Sequence, residues 1–308
     1  MNQNVPLGAA LMGLAAVLFP IKDGIVKALA GTVSGLEAGG VYFATQAALA
    51  LTWLLVRGTD ERIVPARSEA PALLLRSALL VASVLLFFVG VQRAPIAEAV
   101  VLFALQALFA ILFAGLLLGE RLTLRTWAVA LTGFAGAAII LRPDVGEAFN
   151  PFLLFPFASA VTFGLYVAMT KRLGVNQHPV VLLFYDGAVG FALTVAAILV
   201  ATLAGVLPVP DALFTSRSLA FLIASGAVGM VSALLIIVSL RLAPASVIAP
   251  LGYLEIASAA LIGVLVFSEP ITLPMAIGTA IIVSVCLAAS RTKATGRDDA
   301  AVTEPASQ

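Results

Sequence analysis

Apolar runs long enough to cross a bilayer recur along this chain from one end to the other, and they leave it little else to fold into. A hydrocarbon core about 30 Å thick takes roughly 20 apolar residues of helix. Such runs lie near 6–29, 36–56, 71–91, 95–117, 124–141, 151–170, 180–205, 218–240, 244–267 and 272–290 of the 308 residues. The strands of a membrane barrel would alternate over roughly ten-residue segments instead. Only 11% of the residues are Asp, Glu, Lys or Arg, against roughly 25% in soluble domains, and the mean hydropathy is +1.13. The expectation is an all-α polytopic membrane protein of ten transmembrane helices, with no soluble domain beside them. Pro95 and Pro244 mark the fourth and ninth starts, since proline suits a first helical position.

Charge sets the orientation. With the N-terminus in the cytoplasm, Arg57, Arg62, Arg67, Arg121, Arg125, Lys171, Arg172, Arg241, Arg291, Lys293 and Arg297 fall on the cytoplasmic side, and only Arg93, Arg142 and Arg217 fall outside. Positive charge collects in cytoplasmic loops, so both termini are expected inside, at the inner (cytoplasmic) membrane. Residues 291–308 form a polar, disordered tail on this reading. The start, Met1-Asn2-Gln3-Asn4, lacks the basic n-region of a cleaved signal peptide.

An internal repeat organises the spans. Pro95, Leu102, Leu105, Ala110, Leu112, Leu116, Glu120 and Thr123 match Pro244, Leu251, Leu254, Ala259, Leu261, Leu265, Glu269 and Thr272 at a constant shift of 149. Leucine and alanine matches are cheap in this composition, whereas the proline, glutamate and threonine matches in one register are not. The same shift pairs Glu37 with Asp186 and Lys22 with Lys171. Residues 1–149 and 150–290 read as two five-helix repeats. An odd number of spans per repeat inverts the second relative to the first, around a central cavity, as in secondary transporters that expose a midplane site to each side in turn.

Other function classes find little support. Cys286 and His178 are each the only residue of their type, so neither a disulfide within the chain nor a Cys/His metal site is expected. The 17 basic and 16 acidic residues are scattered, which gives no nucleic-acid signal. There is no Gly-rich phosphate loop for ATP. Tyr185-Asp186-Gly187 resembles one half of an intramembrane aspartyl protease site, but no second aspartate in a Gly-x-Gly-Asp setting follows. An intramembrane enzyme would need a nucleophile with its base, or a metal. No cofactor is expected, and a purely structural scaffold has no need of inverted halves.

The residues carrying the repeat resemble the EamA-type pattern of the drug/metabolite transporter superfamily over nearly the whole chain. The first half is similar in Asp23 to Lys27, in Ala97-Glu98-Ala99, and in Leu118-Gly119-Glu120-Arg121-Leu122-Thr123. The second is similar in Ala243-Pro244-Ala245-Ser246, Pro250-Leu251, Tyr253-Leu254-Glu255 and Phe267-Ser268-Glu269-Pro270. The resemblance implies ten helices around a central cavity and export of amino acids or other small metabolites. Many members carry an arginine in span two where this chain reads Gln46 within Tyr42-Phe43-Ala44-Thr45-Gln46. That favours neutral or zwitterionic cargo and makes exporters of the YddG type, which handle aromatic and other neutral amino acids, the favoured comparison, with drug or nucleoside-like cargo as the alternative. The expected partners are a small-molecule substrate, the lipid bilayer and protons, for a chain that works as a monomer.

Polar residues inside the spans are the candidate site. Glu255 sits within span nine, where a carboxyl costs roughly 2.5 to 3.5 kcal/mol and should face the bundle interior. Gly252, Glu255, Ala259 and Gly263 form one small or polar stripe, and the 149 shift turns it into Phe103, Gln106, Ala110 and Ala114. Spans four and nine are therefore expected to pack together. Glu255 then either exchanges a proton or meets a substrate amine, or it bonds Gln106 as structural glue. Tyr42 and Gln46 share a face of span two and offer an aromatic wall and an amide, for substrate or for packing. Tyr166, Tyr253, Phe19 and Trp127 are weaker cavity candidates. Lys22, Asp23 and Lys27 either snorkel to the outer interface or form a gate there, in which Lys22 or Lys27 pairs with an acidic residue such as Glu98 or Glu37. Glu120, Glu269, Arg76, Glu98 and Asp186 read mostly as anchors near span ends.

Overall fold

The computed structural model describes residues 4–57, 70–118, 124–140, 150–172, 179–205, 216–242, 251–252 and 254–284. The tail 291–308, Glu120, His178, Pro244, Tyr253 and Cys286 lie outside them. Among the described residues the regular structure is helical throughout. The helices are α1 (Val5–Ala28), α2 (Gly35–Arg57), α3 (Ala70–Val91), α4 (Ile96–Ala104), α5 (Gln106–Leu118) and α6 (Leu124–Ile140). A short 3₁₀ turn (Pro151–Leu153) leads into α7 (Leu154–Arg172), followed by α8 (Pro179–Leu203), α9 (Ser216–Leu242) and α10 (Leu254–Phe267). The last is α11 (Leu273–Ser284). Seven segments are long and apolar enough to cross a membrane, α4 and α5 counting as one, and Leu131–Ile140, Leu254–Phe267 and Leu273–Ser284 are shorter apolar helices.

The caps explain several boundaries. Asn4 accepts the Leu7 N–H at 3.1 Å to open α1. Ser34 and Glu37 form a reciprocal box at the start of α2: the Glu37 N–H donates to Ser34 Oγ at 3.2 Å, and the Ser34 N–H to Glu37 Oε2 at 2.7 Å. Glu37 is thus a cap and not a gate partner. Asn150 accepts the Phe152 N–H at 3.0 Å, and Thr272 accepts the Met275 N–H at 3.3 Å to start α11. The fourth apolar run is one segment broken at Leu105, between α4 and α5.

Small residues and hydroxyls set the packing. Helix α2 lies against α8 and α9, α1 against α9 and α10, and α3 against α7 and α8. Helix α5 follows α7, while α4 packs on α10, as expected of spans four and nine. Where α2 crosses α8, a Cβ on Gly187 would fall 2.5 Å from Ala47 N, and one on Gly190 would strike the Phe43 ring. Ser83 and Ser159 join α3 to α7 with hydroxyls 2.9 Å apart. On the other side of the bundle, Ser225 of α9 donates to the Lys22 carbonyl at 3.1 Å and Ser258 of α10 to the Val17 carbonyl at 3.2 Å. Both hold α1 beside Pro20, whose ring supplies no N–H to the preceding turn.

Candidate functional site

Two ion pairs are buried inside the bundle, and most of the sequence candidates gather around them. In α1, Lys22 pairs with its neighbour Asp23; the two residues are 7% and 1% exposed. The Lys22 ammonium stands over three rings, 4.9 Å from the centroid of Phe19, 5.4 Å from Phe88 and 5.8 Å from Phe87. Tyr42 meets Phe88 edge-on at 5.5 Å and Phe43 at 5.2 Å. Gly229 of α9 makes room for both Tyr42 and Lys22: a Cβ there would lie 2.5 Å from Tyr42 Cε2 and 3.1 Å from Lys22 Cδ. Glu255, at the start of α10, is within electrostatic reach of Asp23 and Lys22.

The second pair joins helices. Arg76 of α3 reaches Asp186 of α8 with Nη1 2.8 Å from Oδ1. Ser77 donates to the same oxygen at 2.6 Å. Arg76 also donates from Nη2 to the Tyr166 hydroxyl at 2.5 Å and from Nε to Thr170 Oγ1 at 2.9 Å. A run of ring contacts leads from one pair to the other: Phe87 to Phe103 at 5.3 Å, Phe103 to Phe163 at 5.4 Å, and Phe163 to Tyr166 at 5.2 Å. Tyr42 lies within electrostatic reach of both Asp23 and Asp186.

At the end of the bundle where α1 stops and α4 starts, Lys27 and Glu269 close the structure. Lys27 Nζ lies 2.8 Å from Glu269 Oε1 and donates to the Val91 carbonyl at 3.2 Å and to the Ala94 carbonyl. Glu269 Oε2 accepts the Ile96 N–H at 2.9 Å. Close approach is possible because Gly263 of α10 has no side chain: a Cβ there would sit 3.2 Å from Ile96 Cγ2.

Phe19, Lys22, Asp23, Tyr42, Phe103, Tyr166 and Glu255 therefore belong to one region. Lys22 and Asp23 do not snorkel, because they are held inside the bundle. Lys27 takes Glu269, not Glu98 or Glu37, as its carboxylate. Glu98 is half-buried in the first turn of α4, and Gln106 is half-buried at the start of α5. Gln46, 3% exposed, donates to the Leu183 carbonyl at 3.1 Å, which ties α2 to α8 and makes it a packing amide. Trp127 is 48% exposed and lies off the site. Tyr253 is outside the described residues.

Arg76 and Asp186 are corrections in the other direction. Read as anchors near span ends, they are 3% and 1% exposed. A signal was available, since each stands six or seven residues into its helix, ~10 Å along the axis, and both helices are expected to start from the same face. A separate groove of about 540 Å³ runs between α1, α9 and α10, lined among others by Ile21, Ile25, Arg217, Phe221 and Phe267, and touches neither buried pair.

A family model described as the EamA-like transporter family matches the chain twice, over residues 6–142 and 150–291. The chain belongs to the EamA-like transporter family. It is 29% identical over 288 residues to the pseudopaline exporter CntI of Pseudomonas aeruginosa, covering 93% of this chain and 96% of that one. It is 28% identical to an S-adenosylmethionine uptake transporter of Rickettsia bellii over 180 residues, 58% of each chain. Over a shorter stretch of 91 residues, 30% of each chain, it is 35% identical to a riboflavin transporter of Vibrio cholerae. A solved crystal structure superposes with a TM-score of 0.59 at 23% identity, covering 94% of this chain and 98% of the other, which shows the fold alone. Family and relatives are transporters of small molecules, not enzymes. This EamA-like chain is accordingly a multi-pass membrane transporter.

Proposed function

We propose that the protein is a ten-span secondary transporter that exports amino acids, neutral ones above all, or similar small metabolites across the inner membrane by alternating access. The two five-helix halves, 1–149 and 150–290, are inverted repeats in this reading, and both termini are cytoplasmic. The packing supports the repeat. Exchanging the halves turns the contact of α3 with α7 into that of α1 with α9, the contact of α2 with α9 into that of α3 with α8, and returns α2 with α8 to itself. The double family match divides the chain at the same place.

The observation that carries the transport reading is the charge balance of the buried region. Lys22 with Asp23, and Arg76 with Asp186, form two neutral contact pairs along an aromatic wall. Fixed charges inside a membrane are costly and face a functional interior. Balanced poles suit a zwitterion better than a net anion, which replaces Gln46 as the reason to favour neutral amino acids. The positive-inside orientation places the Lys27–Glu269 closure on the outer side, so this arrangement is closed outward.

Counterflow in proteoliposomes tests the reading. Purified protein is loaded with each unlabelled amino acid in turn, and uptake of labelled neutral, cationic and anionic amino acids is followed. Exchange restricted to neutral amino acids is the expected result. No exchange of any amino acid would overturn the cargo and move the search to nucleoside-like or cationic drug compounds.

A further inference from the structure

The two buried pairs have the same formal charge and very different hydrogen bonding. Arg76 spends Nε, Nη1 and Nη2 on Thr170, Asp186 and Tyr166, and Asp186 Oδ1 also accepts Ser77. Three helices hold that pair, with one bond from each of the three guanidinium nitrogens. Lys22 and Asp23 are adjacent on one helix, positions that do not normally face each other. An ammonium carries three donors, and among the described residues Lys22 spends one of them, on Asp23 Oδ1. The rest of its surroundings are the faces of Phe19, Phe87 and Phe88, which attract a cation but accept no conventional hydrogen bond. Asp23 Oδ2 likewise has no hydrogen bond among the described residues.

Burying charge with unspent hydrogen-bonding capacity is expensive, and a partly satisfied network is worse than an apolar core. Gly229 lets the Tyr42 ring and the Lys22 stem pack directly on the α9 backbone, since a Cβ there would fall 2.5 Å from Tyr42 Cε2 and 3.1 Å from Lys22 Cδ. Pro20 removes one helical hydrogen bond two residues before Lys22.

We propose that Lys22 and Asp23 are the two poles of a zwitterion site. The carboxylate of an α-amino acid takes the spare donors of Lys22. Its ammonium takes Asp23 and the rings that the Lys22 ammonium leaves. Arg76 and Asp186 are the fixed frame of the same region and do not bind cargo. This rests on the amino-acid reading above and names the side chains that would recognise both ends of the molecule.

The test uses the full-length protein in proteoliposomes and whichever of leucine, methionine, phenylalanine or threonine the wild type exchanges fastest. That labelled amino acid is competed with itself, with its methyl ester, which lacks the carboxylate, and with its N-acetyl derivative, which lacks the ammonium. Wild type should discriminate at least tenfold against both derivatives. Lys22→Gln should weaken the amino acid about tenfold and leave the ester unchanged, so that the two become equal. Asp23→Asn should do the same for the N-acetyl derivative, and Lys22→Arg should restore discrimination against the ester. Thermal stability of each purified variant separates loss of recognition from loss of fold, and Lys22→Arg keeps the charge should Lys22→Gln fail to fold. A Lys22→Gln protein that weakens all three compounds equally, or none, overturns the zwitterion site and leaves amino-acid transport standing. A wild type that exchanges no amino acid overturns both.

Discussion

Lys27 Nζ of α1 lies 2.8 Å from Glu269 Oε1, just beyond α10, and the other oxygen of that carboxylate accepts the Ile96 N–H at 2.9 Å. One lysine and one glutamate thus tie α1 and α10 to the start of α4, and Lys27 reaches the end of α3 through the Val91 carbonyl. If this closure is the outer gate, removing one partner loosens it by about 1–2 kcal/mol, a five- to thirtyfold shift in population. With Cys286 replaced by serine, Val33→Cys supplies a thiol that is buried at 3% exposure near the same end. A membrane-impermeant maleimide added outside should label it slowly. Glu269→Gln should speed labelling about tenfold, and the swap of Lys27→Glu with Glu269→Lys should slow it again. Equal rates in all three proteins would remove the gate.

Asp186 accepts both Arg76 and Ser77 in the interior, so Asp186→Ala strands a guanidinium. Stranding one partner of a buried pair costs about 3–5 kcal/mol. The expected result is a large fall in the detergent melting temperature and in yield. The double variant Arg76→Leu with Asp186→Leu removes both charges and should recover much of the loss. A double variant no better than the single one would mean that the charges hold the fold through contacts other than each other.

What the sequence disclosed follows from what hydropathy measures. Apolar runs report depth in the membrane, so the segments near α1 to α3 and α7 to α9 begin and end within a few residues of expectation. Depth says nothing about which side chain lies opposite. Lys27 and Glu269 were both visible as charges near helix ends, but their pairing depends on how distant helices converge. Arg76 and Asp186 looked like anchors because each lies within the first turns of its helix. Gln46 was marked by its polarity, and only the position of the Leu183 carbonyl shows that its amide is already occupied. Span nine does pack on span four, through α4, but Gln106 and Ala110 of the expected stripe lie on α5, where Ala110 faces Gly164 of α7. The stripe did not disclose the Lys22–Asp23 pair within reach of Glu255, because a helical stripe is a property of one element.

The α2–α8 crossing depends on absent side chains. A Cβ on Gly187 would fall 2.5 Å from the Ala47 backbone nitrogen, which cannot swing aside. Gly187→Ala should cost about 1–3 kcal/mol by overpacking, read as a lower melting temperature. Gly40→Ala is the control on the same helix pair. Its Cβ would meet Thr194 Cγ2 at 3.6 Å, an ordinary contact, and the change should stay within about 0.5 kcal/mol.

Gln46 donates its amide to the Leu183 carbonyl inside the bundle. Gln46→Leu should lower stability by about 0.6 to 1.7 kcal/mol, the range of interhelical hydrogen bonds in a membrane, and leave the ranking of transported compounds unchanged. A changed ranking in counterflow would return Gln46 to the cargo site.

Glu255 is an acidic group in reach of the paired Lys22 and Asp23. Counterflow at equal pH on both sides needs only a binding site that opens to each face, whereas net transport driven by a pH gradient needs a group that carries a proton across. Glu255→Gln keeps the shape and the hydrogen bonding of the side chain but cannot take up or release that proton. If Glu255 is the coupling group, the variant should exchange amino acids at close to the wild-type rate at equal pH and lose the acceleration that an imposed pH gradient gives the wild type. Full retention of that acceleration would make Glu255 a structural carboxyl of the α1–α10 contact. A wild type indifferent to the gradient would identify the protein as a downhill facilitator, in which Glu255 has no proton to carry.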